Sequence, residues 1–502
     1  MKTVLITNLY FAKYTGSELH ILEIAKQFEK KGFDVTIAVF QKAYPLLEKA
    51  GNMHIVDCLT EELEKQEFDV VFVQHYPVFD FVCNKYKILY KKLVVSKLSV
   101  INELEYLPIC TSEADLILCI SEECAEKVYQ EIGPDARVRV FKNSVSESFF
   151  EESNTKETQS NLKNIAVISN HVPEELVKLS EVMGEQYFMD YIGAEYFPKL
   201  VDANLLKNYD LVITIGRTVQ QCFALKVPVY VYDYFGGPGY INDNNFETAE
   251  QNNFSGRGGF ERKTAEELKF DIESNYHINS SNLEKLYQIA KNEYSYDINF
   301  ERVYRELMEN DSEEYKKMEF YTRNDSLRML VYSRAIPSLC FPENIISQLY
   351  IDYGEGLKED DSIKWRASEN YTITRKFEFD RKVKEFRFDP CNVPAECYIY
   401  MVSVNGQIKE RFIDKKEEFL HYDPQFLIEL TDAEQNQDKT SIEICYKFKS
   451  KSSQEVSVLM QNKLLEADKR IDVLQKQNRA MREWYKTIPK KIIKKILGIF
   501  KR

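Results

Sequence analysis

Short apolar runs alternate with amphipathic stretches along the first third of the chain. Val4, Leu5 and Ile6 form an apolar run inside the opening sequence MKTVLITNLYFA. A turn follows at Tyr14-Thr15-Gly16-Ser17, and residues 18–30 place Leu19, Leu22, Ala25 and Phe28 on one helical stripe. Lys31-Gly32-Phe33-Asp34 then leads into Val35-Thr36-Ile37-Ala38-Val39, which gives the order strand, helix, strand. Further apolar runs, each led by an aspartate, follow at 69–73 and 115–120. Such runs, separated by helical stretches, predict a mostly parallel sheet covered by helices on both faces and ending near residue 150.

Residues 151–161 are polar and aperiodic, as a linker is. A second cycle opens with Ile165-Ala166-Val167-Ile168-Ser169 and continues through a helix at 174–183, strands at 188–192 and 210–215, a helix at 219–224 and a strand at 228–232. Two consecutive units of this kind predict two doubly wound domains, 1–150 and 151–330, facing one another across a cleft. From about residue 343 the period changes to two. Aromatic-rich pieces at 371–374, 383–388, 397–404 and 441–448 predict an antiparallel sandwich over 343–450, an accessory binding or packing module.

Two helical patterns close the chain. Met460, Leu464, Ala467, Ile471, Leu474, Asn478, Met481 and Tyr485 are spaced by fours and threes, the seam of a coiled coil over 455–486. It predicts a homo-oligomer or partner contact, or else a helix packed on its own domain. In residues 487–502, Ile492, Ile493, Ile496, Leu497 and Phe500 make one face and Lys490, Lys491, Lys494, Lys495 and Lys501 the other, with Pro489 suited to the helix start. A basic amphipathic helix of this kind is expected to dock on an anionic membrane surface through residues 488–502, with partner-protein docking or a domain-packing helix as the other readings.

Composition narrows these readings. At 502 residues the chain has room for three or so domains of about 150 residues each. Its 44% hydrophobic and 29% charged residues exclude a disordered or fibrous chain. A net charge of −13 argues against a protein whose task is to coat nucleic acid, and no nucleic-acid partner is expected. The 10 cysteines include no CxxC pair, so neither a zinc ribbon nor a redox dithiol is indicated, and a reducing cytosolic setting fits. The opening residues read as a buried strand rather than a signal peptide, and no apolar stretch approaches the ~20 residues that span a bilayer.

Candidate chemistry gathers where strands give way to helices, the edge at which parallel sheets place binding loops. Gly16 and Ser17 precede the first long helix, whose start offers N–H groups to an anion or a sugar oxygen; a plain capping turn is the other reading. His75 follows a strand and is placed to orient or deprotonate a substrate hydroxyl, or else to serve its loop structurally. In the second cycle Asn170 and His171 are positioned to donate hydrogen bonds to a phosphate or sugar. At the corresponding turn Gly216 allows close approach, Arg217 offers a bidentate contact with phosphate, and Thr218 either caps the helix or binds phosphate. Asp233, Gly236 and Gly237 lie in a turn-rich aromatic stretch, and Asn253, Ser255 and Arg257 in a polar loop. Loops of this composition can wrap a nucleobase, ribose or diphosphate without a metal.

The order of the two cycles and their motifs resembles the nucleotide-sugar glycosyltransferases of the GT-B fold, the retaining family 4 group in particular. The likeness covers roughly residues 1–330. It rests on Gly16-Ser17-Glu18-Leu19 through Lys31-Gly32-Phe33-Asp34-Val35, on Val140-Phe141-Lys142-Asn143-Ser144-Val145, and on Gln221-Cys222-Phe223-Ala224-Leu225-Lys226-Val227-Pro228-Val229. The resemblance implies an α/β chain of two doubly wound Rossmann-like domains (GT-B), to which the β-sandwich-like accessory domain and C-terminal helices are added. It implies a UDP-, GDP-, dTDP- or CDP-sugar held on the second domain, with no cofactor or metal required, and an acceptor held on the first. Arg217 and His171 would offset leaving-group charge, while Gly16, Ser17 and His75 would lie on the acceptor side, His75 and Arg217 being the catalytic candidates. Gln221 stands where the family has the second glutamate of a pair, and Ile213 stands where it has the first, so the pair is not carried over.

The stretch Leu349-Tyr350-Ile351-Asp352-Tyr353-Gly354-Glu355-Gly356 and the module after it look similar to modules of bacterial surface-polysaccharide glycosyltransferases. With the basic tail, this implies a cytoplasmic enzyme, peripheral at the inner face of the membrane, acting on a lipid-linked or polymeric glycan acceptor. The alternative is a catalytically inactive GT-B-like scaffold or partner subunit of a glycan-assembly complex. A nucleotide-sugar epimerase would need a dinucleotide fingerprint that is absent.

Overall fold

The computed structural model describes residues 2–153, 162–193, 199–309, 314–317 and 345–452, with 455, 456 and 459; single positions 106, 281 and 422 are excepted. The coiled-coil seam, the basic terminal helix and most of the linker 151–161 lie outside the described residues. The chain divides into two compact units. The first is Met1–Ile346 with Lys364–Arg375, and the second is Ser347–Ile363 with the chain after Arg375.

The first unit is α/β. Its opening sheet contains β1 (Thr3–Thr7), β2 (Asp34–Val39), β3 (His54–Asp57), β4 (Glu67–Val73), β5 (Leu89–Lys97), β6 (Leu116–Cys119) and β7 (Val138–Val140). They lie in the order β3-β2-β1-β4-β5-β6-β7, every neighbouring pair in this order parallel, and the two-residue strand Lys316–Lys317 pairs antiparallel with the start of β5. The apolar runs read from the sequence are these strands: Val4, Leu5 and Ile6 have no exposed surface, as a strand covered on both faces requires. Strand β5 is central, yet Lys91 and Lys92 interrupt its apolar pattern and the sequence reading missed it. Helix α1 (Gly16–Lys30) turns Ile21, Leu22, Ala25 and Phe28 into the core; Glu18 in its first turn and Lys30 in its last suit the helix dipole.

A second sheet follows, of β8 (Asn164–Ile168), β9 (Phe188–Ile192), β10 (Leu211–Thr214), β11 (Val229–Asp233) and β12 (Gly236–Tyr240). Its order is β9-β8-β10-β11-β12, parallel except for the antiparallel last pair. Strand β12 falls where the sequence suggested a ligand loop. Its Gly-Gly-Pro-Gly composition reads as turn, but an edge strand with an irregular register tolerates Pro238. After helix α2 (Leu283–Glu293), helix α3 (Tyr296–Glu309) returns to the first sheet, where Tyr296, Phe300 and Leu307 join its core. The Phe28 and Phe300 rings meet edge to face at 5.3 Å.

The second unit holds most of two antiparallel sheets, of whose strands Ile346, Lys364–Arg366 and Ile373–Arg375 are counted with the first unit. One holds β13 (Ile346–Asp352), β14 (Ser362–Arg366), β16 (Glu385–Asp389) and β20 (Phe426–Glu429) in the order β14-β13-β16-β20. The other runs β15 (Ile373–Phe379), β21 (Thr440–Ser450), β17 (Ala395–Val404), β18 (Gln407–Ile408), with β19 (Lys415–Phe419) also paired to β17. Burial alternates along β21, and its buried Tyr446 packs on Phe388 of the first of these sheets with ring centroids 4.8 Å apart. No helix among the described residues is long and apolar enough to cross a membrane.

Candidate functional site

Each parallel sheet has one point where the chain reverses its direction of winding, and the crevice at the carboxyl ends of the strands there is the natural ligand position. In the first sheet it lies between β1 and β4, whose following residues are pinned together: Gln74 N–H donates to the Thr7 carbonyl at 3.2 Å and Thr7 Oγ1 to the Gln74 carbonyl at 3.0 Å. In the second it lies between β8 and β10, where Thr214 Oγ1 donates to the Ile168 carbonyl at 2.8 Å. The loops leaving these crevices carry Gly16, Ser17 and His75 from one sheet and Asn170, His171, Gly216, Arg217 and Thr218 from the other.

Two voids adjoin these loops. One, of about 340 Å³, is lined on one side by Tyr14, Gly16 and Leu19 and on the other by Asn170, His171, Gly193, Lys199, Arg217, Thr218, Gln221 and Asp233. The other, of about 400 Å³, is lined by Ser17, His20, His75, Glu105, Asn143, Gly216 and Asn253 among others, and shares Gly16 and Arg217 with the first. Helix α1 starts at Gly16 and helix α4 (Arg217–Leu225) starts at Arg217, and no side chain caps either. Thr15 instead gives its hydroxyl to Glu18 at 2.5 Å, and Gly216, the residue before α4, has no side chain to give. Thr218 therefore sits inside the first turn rather than capping it. Uncapped first turns present N–H groups and the positive end of the helix dipole to whatever fills the void.

Arg217 is partly buried and ion-paired to Glu23 of α1, through its terminal nitrogen and Glu23 Oε1. Its Nε and the second Glu23 oxygen are buried without a hydrogen-bond partner, as is the hydroxyl of Tyr296 near them. Burial works against the charged guanidinium, but Glu23 outweighs it and holds Arg217 above its ordinary value. The residue expected to bear on phosphate thus has a carboxylate partner with hydrogen-bonding capacity left over. Arg257 is likewise engaged, by a two-pronged contact with Glu123 at 3.0 and 2.5 Å. Asn253 accepts from Asn143 at 2.8 Å, and Ser255 is buried in the same loop.

His75 is nearly buried, with backbone φ of 55° just before the helix Tyr76–Tyr86. Its Nδ1 accepts from the Leu9 N–H at 3.2 Å, which assigns the proton to Nε2, 3.3 Å from Glu105 Oε1. Glu105 also accepts from Gln74 at 2.7 Å and from the Leu98 N–H at 3.0 Å. Burial raises the Glu105 carboxyl, and the contacts with His75, Leu98 and Gln74 outweigh it, leaving it below the ordinary range. With both nitrogens occupied, His75 ties the two loops of the first crevice together.

On the facing side, Asp233 accepts from Ser169 Oγ at 2.9 Å and from the Tyr234 N–H at 2.8 Å, while Ser169 Oγ accepts from the His171 N–H at 3.0 Å. Burial raises the Asp233 carboxyl despite these bonds. Gly193 is required here: a Cβ on it would stand 1.8 Å from the Ser169 carbonyl oxygen. Gly236 and Gly237 begin β12 instead of lining the void, and a Cβ on Gly237 would stand 2.1 Å from the Val231 carbonyl oxygen, so close strand packing accounts for that glycine. Gln221 is 3% exposed and lines the first void.

Several site residues escaped the sequence reading. Glu18 accepts from the Ala12 and Lys13 N–H groups at 2.7 and 2.8 Å and so shapes the loop before α1; the Thr15-x-x-Glu18 spacing of a capping box was its signal. Glu23, His20 and Glu105 carried no signal beyond their types. Tyr371 comes from the segment Lys364–Arg375, far along the chain, yet lines the first void. Among the described residues no group of three or more His, Cys, Asp or Glu is arranged to hold a metal ion.

No family model matches the chain, and no curated protein matches it. Solved structures similar to it include WaaG, a glycosyltransferase involved in lipopolysaccharide biosynthesis, at 9% identity and a TM-score of 0.43, covering 61% of this chain and 100% of that one. Acinetobacter baumannii MurG is similar at 14% identity and a TM-score of 0.34, covering 58% of this chain and 96% of that one. A UDP-N-acetylglucosamine 2-epimerase is similar at 11% identity and a TM-score of 0.39, covering 61% and 96%. Likenesses at these scores bear no functional weight.

Proposed function

We propose that this chain is a glycosyltransferase that binds a nucleoside-diphosphate sugar at the 340 Å³ void and transfers the sugar to an acceptor entering from the side of Gly16, Ser17 and His75. The observation that supports it most is the meeting of two uncapped helix starts, at Gly16 and Arg217, on one void at the crevices of two doubly wound sheets. Such a place suits a diphosphate: the N–H groups of the first turns and Thr218 take its oxygens, and the charge that grows on the leaving group as the glycosidic bond breaks meets helix dipoles fixed in advance.

Asn170, His171 and Lys199 border the same void and are the further donors on that side. Arg217 adds its guanidinium where the phosphate oxygens displace or share Glu23. The reaction needs no metal in this reading, because backbone dipoles and cations do the work of charge neutralisation. A retaining outcome fits a site whose histidine is engaged on both nitrogens, since the donor phosphate can then receive the acceptor proton. We place the acceptor among lipid-linked or polymeric glycans of bacterial surface polysaccharide synthesis, reached through the tail 488–502 on an anionic membrane at the inner face of the cell membrane. The seam over 455–486 is the proposed site of self-association or of a glycan-assembly partner.

The test is titration of the purified chain with UDP-, GDP-, dTDP- and CDP-sugars and the free nucleotides. Saturable binding of one nucleotide series is expected; a folded protein that binds none overturns the reading and leaves a scaffold.

A further inference from the structure

Two side-chain amides meet at the second of the two voids. Asn143 follows β7, and Asn253 lies in the loop after the helix Phe246–Gln251 of the second αβ cycle. Asn143 Nδ2 donates to Asn253 Oδ1 at 2.8 Å. Both residues are partly buried, and they line the 400 Å³ void but not the 340 Å³ one. Their mutual hydrogen bond uses one group of each amide. The pair keeps one acceptor, Asn143 Oδ1, and one donor, Asn253 Nδ2, and neither atom is shut away from solvent without a partner. Exchanging O and N in both amides leaves the same set, one donor and one acceptor. The loop that presents Asn253 is held in a conformation that L-residues seldom adopt: φ is 55° at Asn253 and 49° at Phe254. The Asn143 contact, the Gly216 N–H on the Phe254 carbonyl at 3.0 Å and the burial of the Phe254 ring keep it there.

We infer that Asn143 and Asn253 together bind two neighbouring hydroxyls of an uncharged sugar, so that the acceptor is recognised through a neutral glycan unit and not through a carrier phosphate. The inference rests on the proposed function and deepens it by naming the chemistry of the acceptor. Of two neighbouring sugar hydroxyls one can donate while the other accepts, which is the complement of what the amide pair leaves over. The rest of the lining agrees. Ser99 Oγ accepts from the Ile101 and Asn102 N–H groups at 3.1 Å each and Asn102 Oδ1 from the Leu104 N–H at 3.0 Å, which leaves the Ser99 hydroxyl proton and Asn102 Nδ2 for a ligand. The charges that border this void are already matched: Glu105 by His75, Gln74 and the Leu98 N–H, and Arg217 by Glu23. His20, its pKa pushed down to about 4, is uncharged at neutral pH. The helix starts at Gly16 and Arg217 favour an anion, but they border the first void as well and serve the diphosphate there; the amide pair borders the second void alone.

The experiment loads the full chain with the nucleoside diphosphate selected by the panel. It then measures affinity for methyl glycosides of neutral hexoses, for their monodeoxy analogues, and for citronellyl phosphate as a short stand-in for a lipid carrier. Wild type is compared with Asn143→Leu and with Asn253→Gly, in which glycine suits the positive φ and removes the amide. Expected is saturable binding of a methyl glycoside and none of citronellyl phosphate. Loss of one hydroxyl of the recognised pair should weaken binding to wild type about five- to tenfold, and each substitution should weaken the intact glycoside about as much. The variants should no longer distinguish the glycoside from its deoxy analogue, and their affinity for the nucleoside diphosphate should be unchanged. An amide pair that only joins the two loops would leave the deoxy penalty in place, so a variant that still shows it overturns the inference while the nucleotide site stands. So does citronellyl phosphate binding more tightly than every glycoside, or a nucleotide-loaded wild type that binds no glycoside. A wild type that binds no nucleoside diphosphate overturns the proposed function and this inference with it.

Discussion

His20 shows how one buried side chain records its surroundings. It is 7% exposed, its Nε2 lies 3.4 Å from Ser96 Oγ, and burial together with the charge of Arg217 pushes its pKa down to about 4 against the opposing pull of Glu105. A histidine whose folded pKa is depressed binds fewer protons than the unfolded chain between about 4 and its ordinary value near 6.5. Its contribution to stability is therefore complete above that ordinary value and is lost as pH falls through 4, at most about 3 kcal/mol. Urea midpoints of the wild type should fall more steeply from pH 6.5 to 4 than those of His20→Gln; parallel slopes would show that His20 does not titrate this way. Glu23 gives a second residue-scale prediction. Glu23→Gln removes the charge that offsets Arg217, so nucleoside diphosphate should bind several-fold more tightly, whereas Arg217→Ala should weaken it about tenfold, both read by calorimetry. Arg217, His171 and Gly216 were legible because each follows an apolar run and precedes a helix. Glu23 was not, since a glutamate in an amphipathic helix reads as solvated face until the opposite lobe supplies its arginine.

Among the elements, the helix that returns to the first sheet illustrates what periodicity leaves out. Phe300 is nearly buried against Phe28, so Phe300→Ala should cost about 3–4 kcal/mol of unfolding free energy in a urea titration, although it lies well outside the first αβ cycle. A loss below about 1 kcal/mol would mean that α3 contributes little to that core. The strands β1, β2, β4, β6, β8, β10 and β11 were legible as apolar runs because parallel strands are covered on both faces. Strand β5 was hidden by Lys91 and Lys92, and β12 by glycine and proline, which an edge position accommodates. At the turn after β9, Gly193→Ala should displace the Ser169 loop, since its Cβ would meet the Ser169 carbonyl oxygen at 1.8 Å. Reduced nucleotide affinity alongside a lowered melting temperature is the expected pair of results.

For the whole molecule, the terminal tail and the two-lobed first unit carry separate consequences. Removal of residues 488–502 should reduce association with vesicles containing anionic lipid while leaving nucleotide binding intact; sedimentation with vesicles of phosphatidylglycerol measures it, and undiminished association would remove the tail as the anchor. The αβ order and the crevices were legible from the chain's alternation of apolar runs and stripes. The division into units was only partly so, because Lys364–Arg375 joins the first unit through contacts that no local pattern announces.

The return of α3 also sets a timetable. The last parallel strand of the first sheet ends at Val140, whereas Tyr296, Phe300 and Leu307, which close its hydrophobic interior, lie beyond the whole second sheet. At ordinary rates of translation the ribosome needs on the order of ten seconds to make the intervening chain. Throughout that interval the nascent first lobe is unfinished, with Phe28 and Phe33 lacking their cover. The interval is a window for chaperone capture, and synonymous changes that slow translation between the two lobes should lower soluble yield without altering a single amino acid.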